Sequence, residues 1–326
     1  MEKEILKLLK SNKDVYLSGA KISVQLKVSR TAVWKVIKKL KEQGYNIQSV
    51  SSKGYRLIEN EQRLNNSELA LIIEKYDFID KSFYYDEIDS TNDILKRESK
   101  KYDFKNLLAV SSKQTKGKGR LGRVWESDNG LYMSYLLRPD ISPIDAPLFT
   151  QIGAAAIVET FNEISDIDVK IKWPNDIVIN GKKICGILTE LNAELNKINY
   201  IVLGIGVNLN QVGFSDELES IATSYKIETG KDLKLRDFLE VFLKKFDILL
   251  KEFLNEKNIE NTLNICRNKS IIIGKEVNII NANNVRKVEV ININEKGQLL
   301  VINENGEEEA VFYGEVSIRG IDKLYI

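Results

Sequence analysis

The apolar residues near the start of the chain repeat with the period of an α-helix. One group recurs at i, i+3, i+4 and i+7: Val33, Val36, Ile37 and Leu40. This spacing predicts an amphipathic helix over residues 30–43, with Ser29 as its N-cap and Gly44 as its C-cap. Such a helix keeps its apolar stripe inward and leaves its opposite face to solvent or to a partner.

Two shorter helices precede this one and a hairpin follows it. Three apolar residues space as one face of a first helix: Ile5, Leu8 and Leu9. Residues 19–26, after the candidate N-cap Ser18, predict a second helix. Strand-like residues at 45–50 and 55–58 flank a turn at 51–54. The order of helix, turn, helix and β wing predicts a winged helix-turn-helix domain.

Charge is distributed unevenly along the chain. Residues 1–60 contain 13 Lys or Arg against 5 Asp or Glu, a net charge of +8, whereas the remainder contains 35 against 42, a net −7. A basic module on an acidic body favours a polyanionic partner for the module. The solvent face of the third helix carries the side chains that we expect to contact DNA: Arg30, Thr31, Trp34, Lys35 and Lys38. The alternative is a small protein-interaction module with a solvated basic face.

The chain contains no histidine, which excludes Ser-His-Asp and Cys-His catalysis and His-based zinc sites. Its two cysteines are too few for a thiolate metal site. Any chemistry must therefore use Lys, Arg, Asp, Glu, backbone amides or a weakly held metal. No apolar run approaches the roughly 20 residues of a transmembrane helix, and the N-terminus lacks a signal-peptide core. We expect a cytoplasmic protein without a membrane partner.

The central residues, about 63–268, mix strand and helix patterns, which favours an α+β domain with a mixed sheet and flanking helices. Strands are predicted at 131–137, 169–172, 177–179, 183–188 and 200–206. Amphipathic helices are predicted at 92–100, 147–163 and 235–253. Residues 59–66 are polar and form a candidate linker.

Two motifs in this segment favour recognition of polar or anionic ligands. Asp-Ser-Thr-Asn-Asp at 89–93 precedes a predicted helix, where a plain N-cap is the alternative. The run from Gln114 to Trp125 interleaves three glycines with Lys118, Arg120 and Arg123. Glycines let backbone N–H groups approach an anion, and the cations neutralise phosphates. Neither the P-loop spacing nor G-x-G-x-x-G is present, so a solvated basic loop stays the alternative.

Two further motifs lie on predicted strands. Lys-Trp-Pro-Asn-Asp at 172–176 is followed by Asn180-Gly181, a type I′ hairpin signal that places Lys183 on the return strand. Two lysines on neighbouring strands with a carboxylate between them suggest an anion and metal site; a hairpin with solvated lysines is the alternative. Gly-Ile-Gly-Val-Asn at 204–208 permits close packing against a flat ring, with Asn208 able to read a base edge. A glycine-containing strand end is the alternative.

Together, in this order, the four motifs resemble those of the biotin–protein ligase family, specifically its bifunctional members that repress the biotin operon. The resemblance rests on Gly117 to Trp125, on 172–176, on Gly-Lys-Lys-Ile-Cys-Gly-Ile-Leu at 181–188, on 204–208 and on 89–92. It implies a DNA-binding domain over 1–62, a ligase domain over 63–268 and an SH3-like β-barrel over 269–326. Strand patterns at 277–280, 287–293, 298–302 and 308–312 agree with the last.

The resemblance also implies site residues. Biotin-binding roles fall on Ser90, Thr91, Asn92, Gln114, Lys118, Gly119, Arg120, Lys183 and Gly186. ATP- or adenylate-binding roles fall on Arg123, Trp125, Lys172, Asn175 and Asn208. Catalytic roles fall on Lys183, Arg120 and Asp176, with Asp176 as a candidate Mg²⁺ ligand. Lys118 replaces the commoner Arg, which keeps the charge but loses the planar fork and leaves the exact contact of this residue open.

The implied reaction joins biotin and ATP into biotinyl-5′-AMP, with Mg²⁺, and then transfers biotin to a lysine of a biotin carboxyl carrier protein. It needs no protein nucleophile, in keeping with a chain without His. The implied partners are that carrier, operator DNA and a second copy of the chain, with biotinyl-5′-AMP as corepressor. Two alternatives stay open: a lipoate ligase, and a ligand-sensing regulator whose ligase site has decayed.

Overall fold

The structure is a computed structural model. It describes residues 1–12, 14–58, 64–101, 104–195, 197–281, 284–312 and 316–320. The chain divides into two compact units, residues 1–77 with 82–84 and residues 78–81 with 85–326. Part of the candidate linker, residues 59–63, lies outside the described residues.

The first unit contains three helices, a β hairpin and a fourth helix within the described residues. They are α1 (Glu2–Ser11), α2 (Gly19–Leu26), α3 (Arg30–Glu42), β1 (Ile47–Val50), β2 (Gly54–Leu57) and α4 (Asn66–Ile73). The hydroxyls of Ser18 and Ser29 accept hydrogen bonds from Lys21 N and Ala32 N, as N-caps of α2 and α3. β1 and β2 pair antiparallel. The winged helix-turn-helix prediction is confirmed.

The core of this unit follows the predicted apolar spacing with one change. The stripe of α3 is buried as expected, and so are Ile5 and Leu9 of α1. Leu6 rather than Leu8 completes the buried face of α1, and Leu8 packs half-buried at its edge. Helix α4 was not predicted; Asn65 caps it by accepting from the backbone N–H groups of Ser67 and Glu68.

The segment from residue 81 to residue 268 contains a sheet with flanking helices, as predicted. Its elements are β3 (Lys81–Tyr85), α5 (Thr91–Glu98), β4 (Leu107–Ser111), β5 (Leu131–Leu137), α6 (Leu148–Ile164), β6 (Lys170–Lys172), β7 (Asp176–Ile179), β8 (Lys182–Glu194), β9 (Lys197–Val207), α7 (Asp216–Glu219), α8 (Tyr225–Thr229), α9 (Leu235–Glu256) and α10 (Glu260–Asn268). The described strands form a sheet in the order β3-β4-β5-β9-β8-β7-β6. From β4 to β6 each neighbouring pair is antiparallel.

Side-chain alternation divides strand β9 between two faces of this sheet. Leu203 and Ile205 face α6, where the Cβ that an alanine would add at Gly153 would lie 3.5 Å from both side chains. The intervening residues Gly204 and Gly206 face the opposite side, and this side carries the motifs singled out in the sequence. Helix α6 packs in turn against α9, with Phe161 and Phe238 in an edge-to-face contact at 5.1 Å.

The C-terminal residues form a separate antiparallel sheet. Its strands are β10 (Glu276–Asn281), β11 (Asn284–Ile293), β12 (Leu299–Ile302), β13 (Glu308–Val311) and β14 (Val316–Gly320), in the order β13-β12-β11-β10-β14 among the described residues. The four predicted strands are present, and β14 was missed. The domain boundaries at 62 and 268 stay a prediction. No helix among the described residues is long and apolar enough to span a membrane.

Candidate functional site

The glycine-rich loop, residues 117–125, folds back on itself instead of extending into solvent. Lys118 and Val124 form an antiparallel bridge, and Gly119 N–H donates to Arg123 O at 2.7 Å. A 3-10 turn over Arg120–Gly122 reverses the chain between them. The loop thus has a defined hairpin-like conformation, from which Arg120 and Arg123 project.

Lys118 attaches this loop to the start of α5. Its Nζ lies 2.7 Å from Asp93 Oδ2, and that hydrogen bond raises the pKa of Lys118 above its ordinary value. A lysine can make this point-charge contact as well as an arginine, because one carboxylate oxygen is enough. The structure therefore gives a contact to the residue whose role the sequence left open.

A polar pocket lies between α5, the glycine-rich loop and strands β8 and β9. It brings together all nine predicted biotin-binding residues: Ser90, Thr91, Asn92, Gln114, Lys118, Gly119, Arg120, Lys183 and Gly186. Gln114 Oε1 accepts from Thr91 N at 2.8 Å and from Thr91 Oγ1 at 3.0 Å. Its Nε2 donates to Ser127 Oγ at 3.2 Å. These bonds fix the side chains before any ligand arrives.

The indole of Trp125 lies against the two glycines of strands β8 and β9. A Cβ on Gly186 would lie 2.5 Å from the Trp125 ring, and one on Gly206 would lie 2.9 Å from it. The ammonium of Lys183 lies 4.9 Å from the ring centroid on a cation–π contact. Of the two glycines predicted to pack against a flat ring, Gly206 does so, and the ring is a side chain of the protein itself, whereas Gly204 faces Asn92. The Nε1 of Trp125 is buried with no hydrogen-bond partner among the described residues.

A cationic cleft adjoins the polar pocket and shares five lining residues with it: Gly119, Arg120, Trp125, Asn175 and Lys183. The cleft also brings together the remaining predicted residues: Arg123, Lys172, Asn175, Asp176 and Asn208. Lys183 Nζ lies 2.5 Å from Asp176 Oδ1, and Asn175 Nδ2 donates to the same oxygen at 3.0 Å. The two lysines flank strand β7, which carries Asp176, instead of lying on directly neighbouring strands.

Two cations of the cleft are withdrawn from solvent, Arg120 in part and Lys172 almost completely. Arg120 donates to Asn175 Oδ1 at 2.8 Å, and burial lowers its pKa. Lys172 is 3% exposed, and burial, with Arg319 as the next cause, lowers its pKa to about 7. Cations held away from water favour binding of an anion.

The amide of Asn208 is used within the protein. Its Nδ2 donates to Thr223 O at 3.0 Å, and its Oδ1 accepts from Gln211 Nε2 at 3.1 Å. The residue is 2% exposed. Both ends of the amide are therefore occupied, so the contacts support a role in shaping the cleft more than the predicted reading of a base edge.

The sequence missed one cation of the cleft. Arg319 lies on β14 of the C-terminal sheet and lines the cleft with Ile318. The same sheet contacts the central domain where Trp173 Nε1 donates to Gly297 O at 3.0 Å. No motif surrounds Arg319, so only the three-dimensional arrangement reveals its place.

In the first unit, α3 exposes the five residues predicted to contact DNA: Arg30, Thr31, Trp34, Lys35 and Lys38. Trp34 is 54% exposed, and the ammonium of Lys38 lies 6.0 Å from its ring centroid. An exposed tryptophan beside exposed cations is typical of a binding surface.

Comparisons with known proteins agree with this arrangement. Residues 84–208 match the model of the Biotin/lipoate A/B protein ligase family, and residues 2–56 match that of an HTH domain. The bifunctional ligase/repressor BirA of Bacillus subtilis (strain 168) is 38% identical over 258 residues, 78% of this chain and 79% of that protein. BirA of Escherichia coli (strain K12) is 32% identical over 197 residues, 59% of each chain.

A solved structure supports the same assignment. Biotin protein ligase from Aquifex aeolicus, in complex with biotin and ATP, has a TM-score of 0.65 and 32% identity, covering 74% of this chain and 100% of that one. The fold and the site thus define a ligase of the biotin/lipoate class joined to a helix-turn-helix domain. The chain belongs to the family of bifunctional biotin ligase/repressors.

Proposed function

We propose that this chain activates biotin with ATP to biotinyl-5′-AMP, transfers biotin to a lysine of a biotin carboxyl carrier protein, and represses transcription through its winged helix. The observation that carries the ligase half is the junction of the polar pocket and the cationic cleft at Arg120, Trp125 and Lys183. A substrate that spans this junction has its neutral part among hydrogen-bonding groups and its carboxylate among cations.

The electrostatics of the cleft suit the first chemical step. A carboxylate that attacks the α-phosphate of ATP must approach a polyanion, so the barrier is largely repulsion between like charges. Four cations of the cleft come from the central domain and one from the C-terminal sheet: Arg120, Arg123, Lys172, Lys183 and Arg319. The cleft also contains two carboxylates, Glu126 and Asp176, and Asp176 is paired with Lys183. Fixed cations offset the repulsion without having to reorient.

Asp176 is the residue that we propose for Mg²⁺. Among the described residues no group of three or more Cys, Asp or Glu is placed to hold a metal ion. Mg²⁺ is commonly bound by one or two carboxylates together with the phosphates of its nucleotide. Asp176, which lines the cleft together with Glu126, fits an ion that arrives with ATP, where it would neutralise phosphate charge.

A pyrophosphate-exchange assay tests the ligase half. With purified chain, ATP and Mg²⁺, we expect exchange that depends on biotin and not on lipoate. Exchange that depends on lipoate and not on biotin would show that the chain is a lipoate ligase. No exchange with either acid would show that it is a regulator without ligase activity. Lys183→Met should abolish exchange. Its matched control is Lys182→Met on the same strand, which should keep exchange because the Lys182 ammonium contacts Glu219 O outside the cleft.

The repressor half rests on the exposed face of α3. We propose that the adenylate, which engages both the pocket and the glycine-rich loop, is the corepressor that promotes a homodimer on operator DNA. Sedimentation and operator binding, each with biotin alone and with biotinyl-5′-AMP, test this. If biotin alone promotes dimerisation and operator binding as well as the adenylate does, the proposal for the corepressor fails.

A further inference from the structure

Glu190 on strand β8 lies behind the polar pocket and contacts one of its residues. Asn92 Nδ2 donates to Glu190 Oε2 at 2.6 Å, and Lys96 Nζ donates to the other carboxylate oxygen at 2.6 Å. Asn92 lines the pocket and is 5% exposed, whereas Glu190 is not among the lining residues. The hydrogen bond of Glu190 to a lining residue is the one to Asn92, and its charge also acts at a distance on Lys118.

The hydrogen bond to Glu190 determines the orientation of the Asn92 amide. An ionised carboxylate accepts hydrogen bonds and cannot donate them, so the NH₂ group of Asn92 must face Glu190. Its Oδ1 then faces the opposite side, where Ser134 Oγ donates to it at 2.5 Å. Strand β9 makes room for this orientation, since a Cβ on Gly204 would lie 2.3 Å from Asn92 Oδ1.

We infer that Glu190 is a positioning residue, which fixes the Asn92 amide in a single orientation and so sets the pattern of donors and acceptors that the pocket offers to the cyclic urea of biotin. Each end of this amide already makes one hydrogen bond within the protein, so the pattern concerns the second N–H and the second lone pair of an amide that, unlike Asn208, lines the polar pocket. The inference rests on the proposed function for the identity of the ligand. Glutamine at 190 could either donate or accept, so both orientations of Asn92 would keep a hydrogen bond. The pocket would then offer the urea a mixture of two patterns.

The test is Glu190→Gln in the full chain, with equilibrium titration of biotin and the separate KM values for biotin and ATP in pyrophosphate exchange. If the matching orientation of Asn92 falls to about a tenth of the molecules, the Kd and KM for biotin rise about tenfold, and we expect KM for ATP to change less than about twofold. A general loss of structure would raise both KM values and lower kcat. Glu190→Asp, which keeps the charge but is too short for the 2.6 Å contact, is the second variant and should raise the biotin constants likewise.

Two control variants separate the direction of the hydrogen bond from charge. Glu194→Gln removes an exposed carboxylate from the same strand and should leave both KM values unchanged. Lys96→Met removes the ion pair but keeps the acceptor-only carboxylate against Asn92, so the biotin KM should stay within about threefold. An equal rise in Lys96→Met and Glu190→Gln would overturn the inference.

The outcomes also separate this inference from the proposed function. If the unsubstituted chain binds no biotin, the proposed function fails and the inference fails with it. If the unsubstituted chain and both Glu190 variants bind biotin equally well, the inference fails alone and the proposed function stands.

Discussion

The lowered pKa of Lys172 predicts that the affinity for ATP depends on pH near and above pH 7. Burial lowers the pKa of its ammonium to about 7 from an ordinary 10.5, so a large fraction is neutral above pH 7. A bound triphosphate favours the charged form and raises that pKa again. Below pH 7 the ammonium is present before binding, and affinity is at its plateau. Above pH 7 binding must take up a proton, so affinity falls as pH rises.

The size of this pH dependence follows from the change in the pKa of Lys172 on binding. In the range where the free site is neutral and the bound site is charged, Kd for ATP rises by up to about tenfold per pH unit, or about 1.4 kcal/mol. From pH 7, where half of the free site is already neutral, to pH 9 the limit is about 50-fold. Calorimetric titration of ATP with Mg²⁺, in two buffers of different ionisation enthalpy, measures both the affinity and the protons taken up. At pH 8 we expect uptake approaching one proton.

The matched variants are Lys172→Met and Lys170→Met. Lys170 lies on the same strand, and its ammonium is paired with Asp168 at 2.9 Å outside the cleft. We expect Lys172→Met to bind ATP weakly at every pH with no slope above pH 7, and Lys170→Met to keep the slope of the unsubstituted chain. Proton release on binding, or an equal slope with and without Lys172, would refute the reasoning.

Three further predictions concern other parts of the site. Gly206→Ala places a Cβ 2.9 Å from the Trp125 indole and should lower the free energy of unfolding by about 1–3 kcal/mol, measured by denaturant titration; an unchanged midpoint contradicts the packing argument. Arg120→Gly removes the contact to Asn175, so the chain should release its adenylate and label lysines of unrelated proteins, which mass spectrometry detects; tight retention contradicts the loop assignment. Lys35→Met should reduce the slope of log affinity for DNA against log salt by about 1, and an unchanged slope would remove Lys35 from the interface.

Much of the fold could be predicted because its local signals are strong. The i, i+3, i+4 spacing in α3 and the Asn180-Gly181 turn specify their elements within a few residues, and both residues of that turn have positive φ, as a type I′ turn requires. The candidate site could be located because its residues fall in compact motifs. Their juxtaposition follows from strand order, which brings β8 and β9 side by side.

The missed features depend on contacts between residues far apart in the sequence. Glu190 belongs to no motif, and its partner Asn92 is 98 residues away. Arg319 reaches the cleft only because the C-terminal sheet contacts the central domain. Strands β3 and β4 lack a clear alternating pattern; β4 is buried throughout, and a continuous apolar run does not distinguish a strand from a buried helix.

Because Trp125 lies between the pocket and the cleft, its fluorescence should change when a ligand binds. The chain has three tryptophans, and they report on different regions: Trp34 on the exposed face of α3, Trp173 where the wall of the cleft contacts the C-terminal sheet, and Trp125 between pocket and cleft. Replacing Trp34 and Trp173 by phenylalanine would leave a single emitter that lines both ligand compartments. Its emission would follow the arrival of biotin, the arrival of nucleotide and the lifetime of the intermediate in real time, without a label.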